Sequence, residues 1–323
     1  MDIELLWEGR DDERLNALHG VQRRDLVPSM QREYQKISDP SGQTTPPAPP
    51  AGPWVYYHWI PLLVRIVERE PYRVIRTSRN RDVILADEQE RLAQGRVGIV
   101  GLSVGHAMAR TLALEGVGRF RLIDGDELEL SNLNRVPQGL PQLGLPKAIA
   151  CARRLYELDP YLDVDVWPGA LDLQAADDFL RGLDVVVDAC DAFPVKMALR
   201  AAAARQGIPL VMETSFRGLL DLENYRRDPD HQPFHGVLEG AAPPVDEDSR
   251  VAFFDRLIGP LDDRVEASLR GLGRTHVSYP QTGSDIMLGG ASIARLCRAL
   301  LLGEDVPSGR WRMDLAGHMG LGG

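Results

Sequence analysis

Arg96-Val-Gly-Ile-Val-Gly101-Leu-Ser103-Val-Gly105-His-Ala-Met-Ala-Arg-Thr-Leu-Ala-Leu-Glu-Gly116 is the stretch whose reading decides the fold. A short apolar run with β-branched residues breaks at a glycine turn and passes into a helical pattern. A second apolar run, Arg119-Phe-Arg-Leu-Ile, answers it and ends in Asp124-Gly-Asp126. The order is strand, helix, strand. The turn from Gly101 to Gly105 leaves backbone N–H groups without helical partners at a helix start, where the dipole adds positive charge. A phosphate chain suits that place. Asp124 falls 23 residues after Gly101, where a carboxylate in a dinucleotide-type fold accepts hydrogen bonds from a ribose.

With its middle serine, Gly101-Leu-Ser103-Val-Gly105 also fits the G-x-S-x-G elbow of α/β-hydrolases. Such an elbow follows several strands, whereas the residues before 96 show helical and linker patterns and no clear strand series.

Working outward, residues 11–37 are charged and helix-forming, with Leu15, Leu18, Val21 and Leu26 making one narrow stripe, so a docking helix is expected. Residues 38–53 are rich in proline and read as a linker that joins no central strand and separates two pieces. Trp54-Val-Tyr-Tyr-His-Trp-Ile-Pro-Leu-Leu-Val-Arg-Ile-Val is too short to span a bilayer and reads as a buried helix or subunit contact. Arg76, Arg79 and Arg81 then precede the first strand as a solvated loop or an anion clamp.

Downstream, residues 131–146 read as a loop closed by Lys147 at the start of a helix that Pro160 stops. A cation at a helix N-terminus gains nothing from the dipole, so a bound anion accounts for Lys147 better than helix stability does. Strands are expected at 162–166, 183–188 and 208–212, the last two flanking a helix over 195–206. Strands alternating with helices imply a Rossmann-like, doubly wound, mostly parallel α/β sheet, here with a helical N-terminal extension.

Asp188-Ala-Cys-Asp191 leaves a strand at its C-terminal end, the edge where open α/β sheets bind ligands. Asp191 is placed to serve Mg²⁺ through phosphates, or else to cap the next helix. Residues 226–250 read as a long loop within a loop-rich insertion over 226–283, and residues 251–310 as mainly helical; Pro233 breaks the helix that would align His231 with His235 on a metal. An amphipathic helix over 284–302, with Gly289-Gly290 for close packing, and a tail ending Leu-Gly-Gly323 complete the expected divisions 1–53, 54–225, 226–283 and 284–323.

Composition bounds the partners. A chain of 323 residues, 44% hydrophobic, buries a large core, and a net charge of −10 disfavours a nucleic acid or anionic membrane as main partner. No apolar run reaches membrane-spanning length, and the acidic start shows no secretory signal, so a cytoplasmic protein is expected. Cys151, Cys190 and Cys297 are far apart and suggest neither disulfides nor a zinc site.

Arg79, the glycine turn, Asp124-Gly-Asp126, Ser131-Asn-Leu-Asn-Arg135, Leu145-Pro-Lys147 and Asp188-Ala-Cys-Asp191 stand in the order of the ThiF/MoeB/HesA family, bacterial relatives of ubiquitin-activating enzymes. Residues 76–225 resemble that family; the flanks, including Thr214-Ser-Phe-Arg-Gly-Leu-Leu-Asp, resemble a subgroup often joined to a nitroreductase-like module. The resemblance implies adenylation of the C-terminal carboxylate of a small protein or peptide by Mg-ATP, with pyrophosphate released. It further implies that Gly101, Ser103 and Gly105 cradle the nucleotide with Asp126, that Asp124 binds the ribose, and that Asn132, Arg135 and Lys147 hold phosphates. Asp191 would serve Mg²⁺, and Arg79 would reach the neighbouring subunit's site in a homodimer, with a nitroreductase-like protein as a further partner.

There are departures. Ser103 and Val104 replace part of the usual Gly-x-Gly-Gly-x-Gly turn, Ala192 stands for an asparagine and Lys196 for an arginine. No cysteine lies between 191 and 296, so a covalent thioester step is not expected, and Cys190 reads as a structural thiol. An NAD(P)-binding oxidoreductase component would use the same turn and Asp124 but give Arg135, Lys147 and Asp191 no joint task. A catalytically silent binding module is the third reading.

Overall fold

The protein, seen as a computed structural model, is described over residues 3–214, 218–242 and 244–320. Two compact units divide it: Met1–Glu90, Leu114–Gly116 and Arg154–Leu162 form one, and Arg91–Ala113, Val117–Arg153 and Asp163–Gly323 the other.

The first unit contains β1 (Ile3–Leu6), α1 (Asp12–Ala17), β2 (Gln22–Asp25), α2 (Val27–Ser38), β3 (Ala51–Tyr57), β4 (Leu62–Val67) and α3 (Arg69–Arg76). Its sheet runs β1-β3-β4-β2, with β2 parallel to β4 and the other pairs antiparallel. The helical extension expected from the sequence is therefore corrected to a mixed α/β unit. Residues 11–37 do not make one helix, because Gln22-Arg-Arg-Asp25 is an exposed edge strand. A charged edge carries no apolar alternation to reveal it and is shielded from further pairing by its charges.

Residues 54–67 are strands, not a buried helix. Nearly every position there is apolar, so neither period shows in the sequence; the aromatic and β-branched content was the better guide. The proline-rich stretch does not separate two pieces. It joins α2 to β3 within one sheet, tied by Gln31 and Gln35, whose amides each donate to a proline carbonyl at 2.8 Å. Pro53 even lies inside β3, where the ladder shifts register between Ala51 and Trp54 and a missing N–H is tolerated. The boundary expected after residue 53 thus falls inside a paired sheet.

From residue 86 the chain continues through α4 (Ala86–Gln94), β5 (Arg96–Val100), α5 (Gly105–Glu115), β6 (Arg119–Ile123), α6 (Lys147–Leu158) and β7 (Asp163–Trp167). It returns through α7 (Ala176–Leu180), β8 (Val185–Asp188), α8 (Phe193–Gln206), β9 (Leu210–Thr214) and β10 (Leu219–Glu223). Then come α9 (Glu247–Ile258), α10 (Asp263–Gly271), α11 (Gly283–Leu301), β11 (Gly309–Arg312) and α12 (Leu315–His318). The seven-stranded sheet has the order β11-β10-β9-β8-β5-β6-β7, parallel from β9 to β7 and antiparallel at β10 and β11.

The doubly wound, mostly parallel α/β sheet expected above is present. Along β5, Val100 joins a core with Phe179, Val186, Leu199 and Ala203, while Ile99 lies under α5, so helices cover both faces. The chain runs outward from β5 to β7 and then restarts at β8 on the other side. The switch point therefore lies between β5 and β8, and their C-terminal ends form the ligand edge. Within the insertion over 226–283, the helical character expected from residue 251 onward is present as α9 and α10. On α11, Gly289 and Gly290 do permit close approach: a β-carbon at Gly290 would meet Ala107 at 3.1 Å. The tail, residues 321–323, and residues 215–217 lie outside the described residues.

Candidate active site

At the end of β5, Gly101 adopts φ +91°, and a β-carbon there would collide with the Ala189 carbonyl leaving β8. Only glycine lets the two strand ends close on each other this way. Gly105 opens α5 with its α-carbon against Ile99. Between them the backbone is pinned by Asp124: Leu102 N–H donates to Oδ2 at 2.5 Å, and Asp126 N–H donates to Oδ1 at 2.8 Å. The carboxylate expected to take a ribose thus also holds the turn in shape, with lone pairs left over for a hydroxyl.

A cleft of about 270 Å³ lies over this turn, lined by Gly101, Ser103, Asp124, Asp126, Lys147 and Asp191 among others. Lys147 begins α6 and is buried, its Nζ donating to Asp126 Oδ2 at 2.8 Å. Asp126 is exposed, so the pair is a weak one that yields to a better anion. Arg135 reaches the turn from the other side, Nε donating to Ser103 Oγ at 3.2 Å and Nη1 to Asn134 Oδ1 at 2.9 Å. Burial pulls its pKa down, opposed by the charge of Asp191.

Asp191 does not cap a helix; the N-cap of α8 is Ala192, without a side-chain bond. No hydrogen bond to the Asp191 carboxylate exists among the described residues, and the surrounding loss of water raises its pKa, against the pull of Lys196, Lys147 and Arg135. It is the carboxylate of the cleft left for a ligand. Among the described residues no group of three or more His, Cys, Asp or Glu side chains could hold a metal. One carboxylate beside three cations fits an ion that takes most of its oxygens from phosphates and water, as Mg²⁺ does.

Two expected residues sit elsewhere. Asn132 is buried in a short turn, its side-chain oxygen accepting from Glu129 N–H at 3.0 Å in a reciprocal capping box, so it shapes the loop that carries Arg135 and does not line the cleft. Arg79 lies exposed in the turn Ser78–Asn80 of the first unit.

The sequence reading missed the ionic core beneath the cleft. Arg200 is fully buried and donates to Asp188 Oδ2 and Glu223 Oε1, both at 2.7 Å. Lys196 donates to Asp188 Oδ1 at 3.0 Å, and Tyr225 to Glu223 Oε2 at 2.5 Å. These cations hold Asp188 down at about 2 despite complete burial. The signal available was Asp188 and Arg200 at strand end and helix, 12 residues apart. The Cys190 thiol is pushed up by burial and by Asp188, against the direction a nucleophile needs. His231 and His235 do meet, Nε2 to Nδ1 at 3.0 Å, but His235 turns its other nitrogen to buried Asp221 at 2.9 Å, which also pairs with Arg310.

A glycine turn pinned by a carboxylate, with cations beside it at the switch point of a doubly wound sheet, is the arrangement of a nucleotide-binding α/β protein. Residues 77–246, just over half the chain, match the ThiF family. The chain belongs to that family.

A relative from Mycobacterium tuberculosis, uncharacterized protein MT1398, is 43% identical over 274 residues, 81% of this chain and 38% of that protein. The sulfur carrier protein adenylyltransferase of Thermus thermophilus is 38% identical over 125 residues, 38% of this chain and 46% of that protein. The chain thus spans under half the length of either relative. In fold it resembles the E. coli tRNA N6-threonylcarbamoyladenosine dehydratase TcdA solved with ATP, at TM-score 0.53 and 20% identity, covering 74% of this chain and 98% of that one. E. coli MccB with MccA-N7isoASN gives TM-score 0.53 at 15% identity, over 76% of this chain and 73% of that one.

Among the described residues no helix is long and apolar enough to cross a membrane.

Proposed function

We propose that this chain is an ATP-dependent adenylyltransferase: it activates the C-terminal carboxylate of a small protein or peptide as an acyl-adenylate. The carboxylate oxygen bonds to the α-phosphorus, the bond to the bridging oxygen breaks, and pyrophosphate leaves. The reaction needs no general base, because the attacking group is already an anion. It needs two anions held in line, and that is a task for fixed cations.

The observation that carries the reading is a cleft above the Gly101 turn lined by Lys147 and Asp191, with Arg135 bonded to Ser103 of its wall, in a chain of this family. Asp124 would take the ribose, and Lys147 would exchange Asp126 for a phosphate. Asp191 would hold Mg²⁺, whose charge offsets the leaving pyrophosphate. The names of several relatives are those of adenylyltransferases, which supports the same chemistry here.

The active form in this reading is a cytoplasmic homodimer in which Arg79 reaches the phosphates of the other copy. A nitroreductase-like protein as a second partner belongs to the same proposal and is read by co-purification. Mixing Arg79→Ala with Asp191→Asn chains should restore part of the activity that each lacks; no recovery would remove Arg79 from the partner's site.

The deciding experiment titrates the protein with Mg-ATP, NAD⁺ and NADPH in parallel calorimetric runs, with Asp191→Asn as control. Binding of Mg-ATP alone, weakened in the variant, is the expected result. Binding of a nicotinamide nucleotide alone would replace the proposal with the oxidoreductase reading, and binding of none with the silent module.

A further inference from the structure

Next to the cleft lies a second cavity of about 170 Å³ that shares Ala189, Cys190 and Asp191 with it. Its walls are aromatic. Phe193 stacks on Phe234 at 6.0 Å between ring centres and meets Phe253 edge-on at 5.2 Å, while Phe254 contacts Tyr279 at 5.3 Å. These rings come from α8, α9 and the loops on either side of α9 and α10, so the insertion builds most of the wall.

At the end of β9 this wall changes character. Glu213 lines the cavity, is only 7% exposed, and among the described residues has no hydrogen-bond partner on either carboxylate oxygen; the Thr214 hydroxyl is likewise buried and without a partner among them. The carboxyl is pressed against α11, where a β-carbon at Gly289 would come within 2.5 Å of Oε2. A buried carboxyl without a partner destabilises a fold, and an orphaned polar group of this kind calls for a ligand or a function. Nothing in the nucleotide chemistry uses it.

The size is informative. Pockets that enclose a whole small molecule run to roughly 300–1,000 Å³, so this one suits a single large side chain. A carboxylate placed beside Asp191 for attack would carry its own side chain toward the shared wall.

Resting on the adenylation reading, we propose that the substrate does not end in glycine. Its last residue is aromatic and carries a hydrogen-bond donor, an indole N–H or a phenol O–H, that enters the ring-lined cavity and donates to Glu213. Aromatic side chains pack edge-on and offset against such rings, and Tyr and Trp bring one polar hydrogen that needs a buried acceptor. Burial and Asp285 push the Glu213 carboxyl up to about 8, so at neutral pH it is a neutral acid whose carbonyl oxygen is free to accept.

The test titrates the full chain calorimetrically with N-acetyl-tryptophan, N-acetyl-tyrosine, N-acetyl-phenylalanine and N-acetyl-glycine, in the wild type and in Glu213→Leu. The apolar variant removes the unpartnered carboxyl and should fold at least as well as the wild type, checked by circular dichroism. Tryptophan or tyrosine should bind at least tenfold more tightly than phenylalanine, and phenylalanine more tightly than glycine; the first gap should close in Glu213→Leu while the second persists. The two donor-bearing derivatives tell indole from phenol. Equal affinity for the glycine and aromatic derivatives, or an unchanged donor preference in Glu213→Leu, would overturn the inference. Mg-ATP titrated into the same samples separates the two readings. Aromatic binding without Mg-ATP binding sinks adenylation and leaves the cavity; Mg-ATP binding with pyrophosphate exchange on glycine-ended peptides and no aromatic preference sinks the cavity alone.

Discussion

The cleft and the chamber lie on one sheet edge and share three residues, yet they are built by opposite means. In the cleft Asp124, Asp126, Lys147 and Arg135 each have a partner, and the shape comes from one tight turn pinned by Asp124. In the chamber the walls are rings from distant segments, and the carboxyl within them has no partner among the described residues. The difference is between a site that prepays the desolvation of its charges internally and one that leaves it to a ligand. A fold can carry one such deficit because the ionic core below both, Arg200 with Asp188 and Glu223, is fully satisfied.

Breaking that common floor should have the largest effect. Arg200→Leu leaves two fully buried carboxylates without their guanidinium, and loss of one partner from a buried pair costs about 3–5 kcal/mol. Denaturant unfolding should show that loss, with cleft and chamber failing together. A stable variant that kept Mg-ATP binding would mean that the two sites do not rest on one floor.

The chamber is next, and pH isolates it. The Glu213 carboxyl is pushed up to about 8 from its ordinary 4.5 by burial and by Asp285. Between those values the folded protein keeps a proton that the unfolded chain gives up, so stability falls as pH rises from 4.5 through 8. The slope is about 1.4 kcal/mol per pH unit at most, roughly 3 kcal/mol from pH 5 to 7. Glu213→Gln should remove that slope and raise the midpoint of thermal unfolding near pH 8. If wild type and variant show parallel stability profiles over this range, Glu213 already has a partner and the contrast with the cleft collapses.

The cleft alone is tested by Asp191→Asn, which keeps shape and removes charge. Pyrophosphate exchange should fall at least tenfold, about 1.4 kcal/mol in the barrier, with unfolding unchanged because no hydrogen bond of the fold ends on Asp191. A full rate in this variant would take the residue out of the chemistry.

How much of this contrast was legible in the sequence follows the same division. The cleft was legible because Gly101, Asp124, Lys147 and Asp191 each mark a strand end or helix start, and local patterns report those. Arg200 was not, since an arginine on a helix reads as a surface charge unless its two distant carboxylates are known. The chamber was invisible because its ring pairs, Phe193 with Phe253 and Phe254 with Tyr279, come from separate elements of the fold, and no local pattern reports such pairs. β10 and β11 escaped for the same reason, being partners about 90 residues apart. In the first unit β3 and β4 were hidden by too much apolarity, β2 by too little.

The smallest effect expected is at the wall the two sites share. Cys190 lines the cleft, and a covalent thioester step would need a reactive thiolate there. Here the thiol sits over Asp188, its Sγ 3.2 Å from Oδ1, and burial with that neighbouring charge raises its pKa far from the thiolate range. A sulfur held protonated above a buried carboxylate is a packing group. Cys190→Ala should therefore leave pyrophosphate exchange within about twofold, under roughly 0.5 kcal/mol in the barrier. It should also leave no acyl-enzyme to be lost, as mass spectrometry of the wild type after turnover would show. A thiol-labile adduct on Cys190 in the wild type would overturn both statements, and would mean that ligand binding reverses the electrostatics of the shared wall.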